Sequence, residues 1–257
     1  MMKRLIIKSL SPLVTGLFFL VSIMTAQASI IDFETTATGG TPVDNGIINI
    51  NDQFMAGGVS VSFGFDTDGD GVLDSQGVFE QVGESADPAD DSGFLASYGE
   101  DTANPDFQSM LGSFFLRQKM AYQPFGVFHI IYNAVNPVTS ASGEIWDIDG
   151  NRNTEQFVII AFNGENLLEL QESPLGNSND ENSYDDRSWA FGFNNLSDIT
   201  RIEISFTGSK TGGIGLAFNN FSPVEDLSNL TNNIPEPTSL IVIAMALLAA
   251  GFYRQRS

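Results

Sequence analysis

The sequence predicts an all-β protein: a two-sheet β-sandwich of the jelly-roll kind, flanked by an N-terminal signal helix and a short C-terminal transmembrane helix. Three observations carry this expectation. Between residues 29 and 237 apolar side chains recur with period two in runs of five to nine residues. The runs are rich in Phe, Ile and Val, and Gly, Asn, Asp and Pro separate them. No part of that segment holds a helical period over about 12 residues.

Residues 1–28 read as a signal peptide. Lys3, Arg4 and Lys8 form a basic start, Leu10 to Ile23 is mostly apolar, and Ala26-Gln27-Ala28 is a small-x-small cleavage pattern. Cleavage after Ala28 leaves Ser29 as the mature start, and the apolar run is short for a retained span. A β-sandwich domain is expected over 29–222. Its strand candidates are SIIDFE (29–34), GVSVSFGF (58–65), SGFLASY (92–98), MLGSFFLR (110–117), VFHIIYNAV (127–135), GEIWDI (143–148), QFVIIAF (156–162), NLLEL (166–170), RSWAFGF (187–193), ITRIEISF (199–206) and GIGLAFNNF (213–221). Long acidic connections cover 81–91, 99–107 and 171–186, and the last has only one aromatic to anchor it. Residues 223–234, which open with Pro223 and hold three Asn ahead of Pro235, read as a linker.

Charge and composition exclude several functions. Lys3, Arg4, Lys8, Arg254 and Arg256 are five of the 11 basic residues, whereas all 32 acidic ones lie within 29–237. That segment therefore carries net charge −26, which repels nucleic acid and anionic membranes and attracts divalent cations. The absence of cysteine removes disulfides and thiol chemistry. A single histidine, His129, excludes multi-histidine metal sites, and sharing a strand face with Val127 and Ile131 makes it a packed residue rather than a catalytic one.

The sharpest chemical motif is FDTDGDGVLD at 65–74. Asp66, Asp68 and Asp70 alternate, Gly71 permits a sharp turn, the Val72 carbonyl falls at the seventh place of a calcium-loop count and Asp74 at the ninth. Gly77 stands where an EF-hand has its bidentate Glu, Glu80 comes too late to replace it, and a strand precedes the loop. The expectation is a Ca2+-binding turn of the kind seen in extracellular β proteins; the alternative is an Asp-Gly turn that binds nothing tightly. A second group, Asp147, Asp149, Asn151, Asn153 and Glu155, has weaker spacing and reads as a plain turn.

The chain ends NIPEPTSLIVIAMALLAAGFYRQRS. Leu240 to Phe252 is 13 residues, short of the roughly 17–25 of a usual span, and Arg254 and Arg256 favour a cytoplasmic tip. Pro235-Glu236-Pro237, the apolar segment and the basic tip resemble the PEP-CTERM sorting signal of exported bacterial proteins, over residues 235–257. The resemblance implies processing by the membrane protease exosortase, a transient stay in the inner membrane, and a final place at the cell surface or outside the cell. It also implies association with exopolysaccharide and biofilm matrix. GEIWDIDG, RSWAFGF followed by ITRIEISF, and GIGLAFNNF are similar to segments of PEP-CTERM proteins with a jelly-roll domain, which commonly end in Ala-Phe-Asp-Asn-Phe. Jelly-roll carbohydrate-binding modules often hold a structural calcium between first and last strands; by that resemblance Glu34, Asn219 and Asn220 would supply it, although Asn219 stands where an acid is usual.

Three functional classes remain open on sequence alone. An enzyme would need paired carboxylates, for which Glu144, Asp147, Asp149 and Glu155 are the candidates, but no nucleophile elbow, phosphate loop or zinc motif accompanies them. A sugar-binding module would use Trp146, Trp189, Tyr98, Tyr122, Tyr132 or Tyr184 as stacking surfaces, although the tryptophans lie in strand-like runs. A matrix protein bridged by calcium to anionic polysaccharide needs no such site. The expectation is non-enzymatic: a surface-associated matrix protein, with sugar recognition by a lectin-like module as the alternative.

Overall fold

The computed structural model describes residues 30–82, 111–118, 126–148, 154–176, 184–209 and 217–225. These hold twelve strands: β1 (Ile47–Ile48), β2 (Phe54–Ala56), β3 (Val59–Asp66), β4 (Gly77–Gln81), β5 (Phe114–Gln118), β6 (Val127–Asn133), β7 (Val138–Ile148), β8 (Phe157–Asn163), β9 (Asn166–Glu172), β10 (Tyr184–Phe193), β11 (Arg201–Phe206) and β12 (Ala217–Glu225). They pair antiparallel into two six-stranded sheets, ordered β1-β4-β5-β12-β7-β10 and β2-β3-β6-β11-β8-β9. Both sheets turn one face into a shared core, as period-two patterning requires.

The core is built from rings. Phe128 on β6 stacks on Phe218 of β12 with centroids 4.4 Å apart, and Phe63 on β3 meets Phe221 of β12 at 5.1 Å, so these pairs tie the two sheets together. Phe33 closes one side, edge-on to Phe54, Phe63, Phe79 and Phe221. A smaller cluster of Leu111, Phe115, Trp146 and Ala217 lies on the outward face of the first sheet.

Nine of the expected runs coincide with β3 and β5 to β12 except where boundaries shift, and the differences have local causes. SIIDFE contributes only an isolated bridge, Ile31 with Phe221, because Phe33 takes a positive φ of 57° and leaves the extended path to enter the core. β12 continues to Glu225, past the Pro223 where composition places the linker, and pairs with β7 as far as Val138. Three short strands, β1, β2 and β4, carry no extended alternation. β2 exists because Gly57 and Gly58, at φ 57° and 92°, form the two-residue turn that folds it back on β3. The run at 92–98, both terminal segments with Ala26, Ala28, Pro235, Glu236, Pro237, Arg254 and Arg256, and the turn at 149–153 lie outside the described residues. Among the described residues no helix is long and apolar enough to cross a membrane.

Candidate metal centre

β3 ends at Asp66, and the chain crosses from the second sheet to the first through residues 67–76. The loop is closed at its neck, where the Phe65 carbonyl accepts from both Asp74 N and Ser75 N at 3.0 Å. Gly69 and Gly71, at φ 81° and 84°, turn their amides inward to donate to the two Asp66 carboxylate oxygens at 2.7 Å each. Asp74 receives Thr67 N at 3.0 Å and Thr67 Oγ1 at 2.8 Å. Oxygens of Asp66, Asp68 and Asp74 thereby lie within 4.8 Å of one another. Three like charges at that spacing repel by about 1 kcal/mol per pair even in water, and a divalent cation relieves this.

The five residues expected as ligands divide. Asp66, Asp68 and Asp74 converge, whereas Asp70 accepts a hydrogen bond from Val72 N at 2.8 Å and Val72 presents its side chain to solvent. Asp66 is buried, which pushes its carboxyl up, but hydrogen bonds from the Gly71, Gly69 and Asp70 amides outweigh burial and hold it below the usual carboxylate value. Glu80 stands apart from the loop: it forms a buried ion pair with Arg117 at 2.6 Å, and Arg117 also donates to Asn45 Oδ1 at 2.6 Å.

The loop is seated on the second sheet by two apolar side chains. Leu73 and Ile50 cover Gly64 so closely that a Cβ there would lie 2.8 and 2.9 Å from them. Gly64 pairs with His129, which is buried on the outward face and faces Glu203 of β11 at 3.9 Å. Arg201 already binds Glu203 at 2.6 Å and lies 4.2 Å over the Phe162 ring. Burial therefore prevails over the attraction of Glu203 and lowers the His129 pKa. Sequence reasoning found a packed histidine but not this network, because Glu203 meets His129 only through the pairing of β6 with β11.

At the junction of the first segment with the last strand, the polar groups are satisfied within the protein. Glu34 Oε1 accepts from Ser113 N and Phe114 N at 2.5 and 3.1 Å, lying across Gly112 where a Cβ would fall 2.2 Å from it. Asn219 Nδ2 donates to the Leu111 carbonyl at 2.6 Å, and Asn220 Nδ2 to Glu144 Oε2 at 2.8 Å. In this arrangement Asn219 and Asn220 turn their NH2 groups, rather than their side-chain oxygens, toward the Leu111 carbonyl and Glu144.

Among the described residues, the enzyme candidates Glu144, Asp147 and Glu155 are each engaged separately, and Asp149 lies outside them. Glu144 is bonded to Trp146 Nε1 and to Asn220, Asp147 is buried at the end of β7 with φ 63°, and Glu155 is buried beside its bridge to Gly176. A cleft of about 390 Å³ lined by residues 30–37, Gly39, Phe54 and Met55 contains none of them. Of the candidate sugar-stacking aromatics, Trp146 and Tyr132 are buried and Trp189 packs against the main core. Tyr184 is partly covered, with Arg187 4.9 Å over its ring, while Tyr98 and Tyr122 lie outside the described residues. Neither known protein families nor characterised proteins give a match to this chain.

Proposed function

We propose that the chain is an exported, non-enzymatic surface or matrix protein whose jelly-roll sandwich binds calcium through the Asp66–Asp74 loop. The observation that carries this is the convergence of Asp66, Asp68 and Asp74 within 4.8 Å on a loop whose backbone amides already fix Asp66. The loop belongs to a segment of net charge −26, which needs divalent counterions to approach anionic polysaccharide or another copy of itself. Export, exosortase processing and transient residence in the inner membrane rest on the signal-like start and on Pro235-Glu236-Pro237 with Arg254 and Arg256.

Fractionation of the producing cells tests the reading. The protein is expected in the extracellular matrix fraction, released by chelation of calcium, and lacking the terminal Arg254-Gln255-Arg256-Ser257 by mass spectrometry. Retention of that terminus on the matrix-associated protein, or recovery only in the cytoplasm, contradicts the proposal.

A further inference from the structure

We infer that Asn219 and Asn220 form an amide clamp that holds the last strand without a cation, and that Asn219→Asp converts this junction into one that calcium stabilises. The clamp is independent of the Asp66–Asp74 loop. Asn219 is fully buried, on the outward face of β12 beside Leu111. Its Nδ2 donates to the Leu111 carbonyl at 2.6 Å and its Oδ1 accepts from Asn220 N at 2.9 Å, so both polar atoms are used and the amide has one orientation. Asn220 lies at φ 57° in the irregularity between Asn219 and Ser222, and this places Phe218 and Phe221 both in the core. The same kink sends the Asn220 amide to Glu144 Oε2, which also accepts from Trp146 Nε1.

The turn at 111–114 is therefore held from two sides. It gives two amides to Glu34 and takes one from Asn219. Each carboxylate at this junction, Glu34 and Glu144, is met by N–H donors, and the Leu111 carbonyl is met by another. A cation entering here would have to break the Asn219 bond and would then face an NH2 group.

An acid at position 219 reverses the chemistry. One carboxylate oxygen can still accept from Asn220 N, but the other would face the Leu111 carbonyl at about the 2.6 Å now spanned by a hydrogen bond. Two buried acceptors at that distance need a cation or a proton between them.

The test is thermal melting of the protein expressed from the full chain in an Asp68→Asn/Asp74→Asn background, which removes the loop as a source of calcium response. With Asn219 intact, 5 mM calcium and chelator are expected to give melting temperatures within about 1 °C of each other. Asn219→Asp is expected to melt roughly 5–10 °C lower in chelator and to regain most of that loss in calcium. Asn219→Ala is expected to be destabilised with no recovery. A calcium gain of several degrees with Asn219 present that disappears in Asn219→Ala would overturn the clamp. An Asn219→Asp protein that recovers no stability from calcium, folded or not, would overturn the conversion. A calcium response of the loop, present or absent, affects neither outcome.

Discussion

His129 gives the residue-scale account a pH dependence. Its folded pKa is lowered by burial, so the unfolded chain binds the extra proton more readily. The stabilisation linked to neutral His129 is therefore complete above its ordinary value near 6.5 and declines as pH falls through that value toward the folded pKa. Melting temperature is expected to fall between pH 7.5 and 5.5, and His129→Gln to reduce that fall. An unchanged difference in His129→Gln would assign it to the carboxylates instead. The sequence disclosed that His129 packs, because period two put it beside Val127 and Ile131. It did not disclose Glu203 and Arg201, whose approach depends on strand register. Likewise the spacing of Asp66, Asp68 and Asp74 was legible, but the engagement of Asp70 with Val72 N is a property of the backbone path.

Between elements, a side-chain amide joins the edges of the two sheets among the described residues. Gln171 on β9 donates to the Gly192 carbonyl of β10 at 2.6 Å and accepts from Gly192 N at 3.2 Å. β9 and β10 are the edges of different sheets, so the amide satisfies an edge backbone that no neighbouring strand covers. Gln171→Ala is expected to cost about 2 kcal/mol, to lower melting by roughly 4–8 °C, and to speed hydrogen exchange at Gly192 N. Unchanged exchange there would remove the clamp from the account. Gly143 on β7 makes a packing test: an added Cβ would lie 2.5 Å from Phe221 and 2.7 Å from Phe191. The entropy gained on Gly→Ala, about 0.4–1 kcal/mol, is smaller than the roughly 1–3 kcal/mol of overpacking. Gly143→Ala should therefore destabilise, as read by denaturant midpoint; a stabilised variant would mean that the rings have room to shift. β3 and β8 were readable because seven or eight alternating positions give an unambiguous period, whereas β7 was read only over 143–148 because its start, Val138 to Ser142, holds few large apolar side chains. β1, β2 and β4 were not, since two to five residues hold too few alternations and are fixed by their partners.

On the scale of the whole molecule, charge and fold pull in opposite directions. The segment 29–237 carries net charge −26, and the loop gathers three carboxylates at the end of β3, so self-repulsion opposes the folded state and a bound divalent cation would relieve it locally. A cation that binds the folded loop but not the open chain stabilises by about 1.4 kcal/mol at tenfold saturation, which for a domain of this size is roughly 3–6 °C in melting temperature. Screening alone would produce a gain with any salt and would not depend on particular residues. The most direct measurement is thus the melting temperature of the purified protein in 5 mM calcium chloride against sodium chloride of equal ionic strength, for the native sequence and for Asp68→Asn/Asp74→Asn. A calcium-specific rise of roughly 3–6 °C is expected in the native sequence and is expected to vanish in the variant; an equal rise in both salts, or a full calcium response in the variant, would mean that the loop holds no cation.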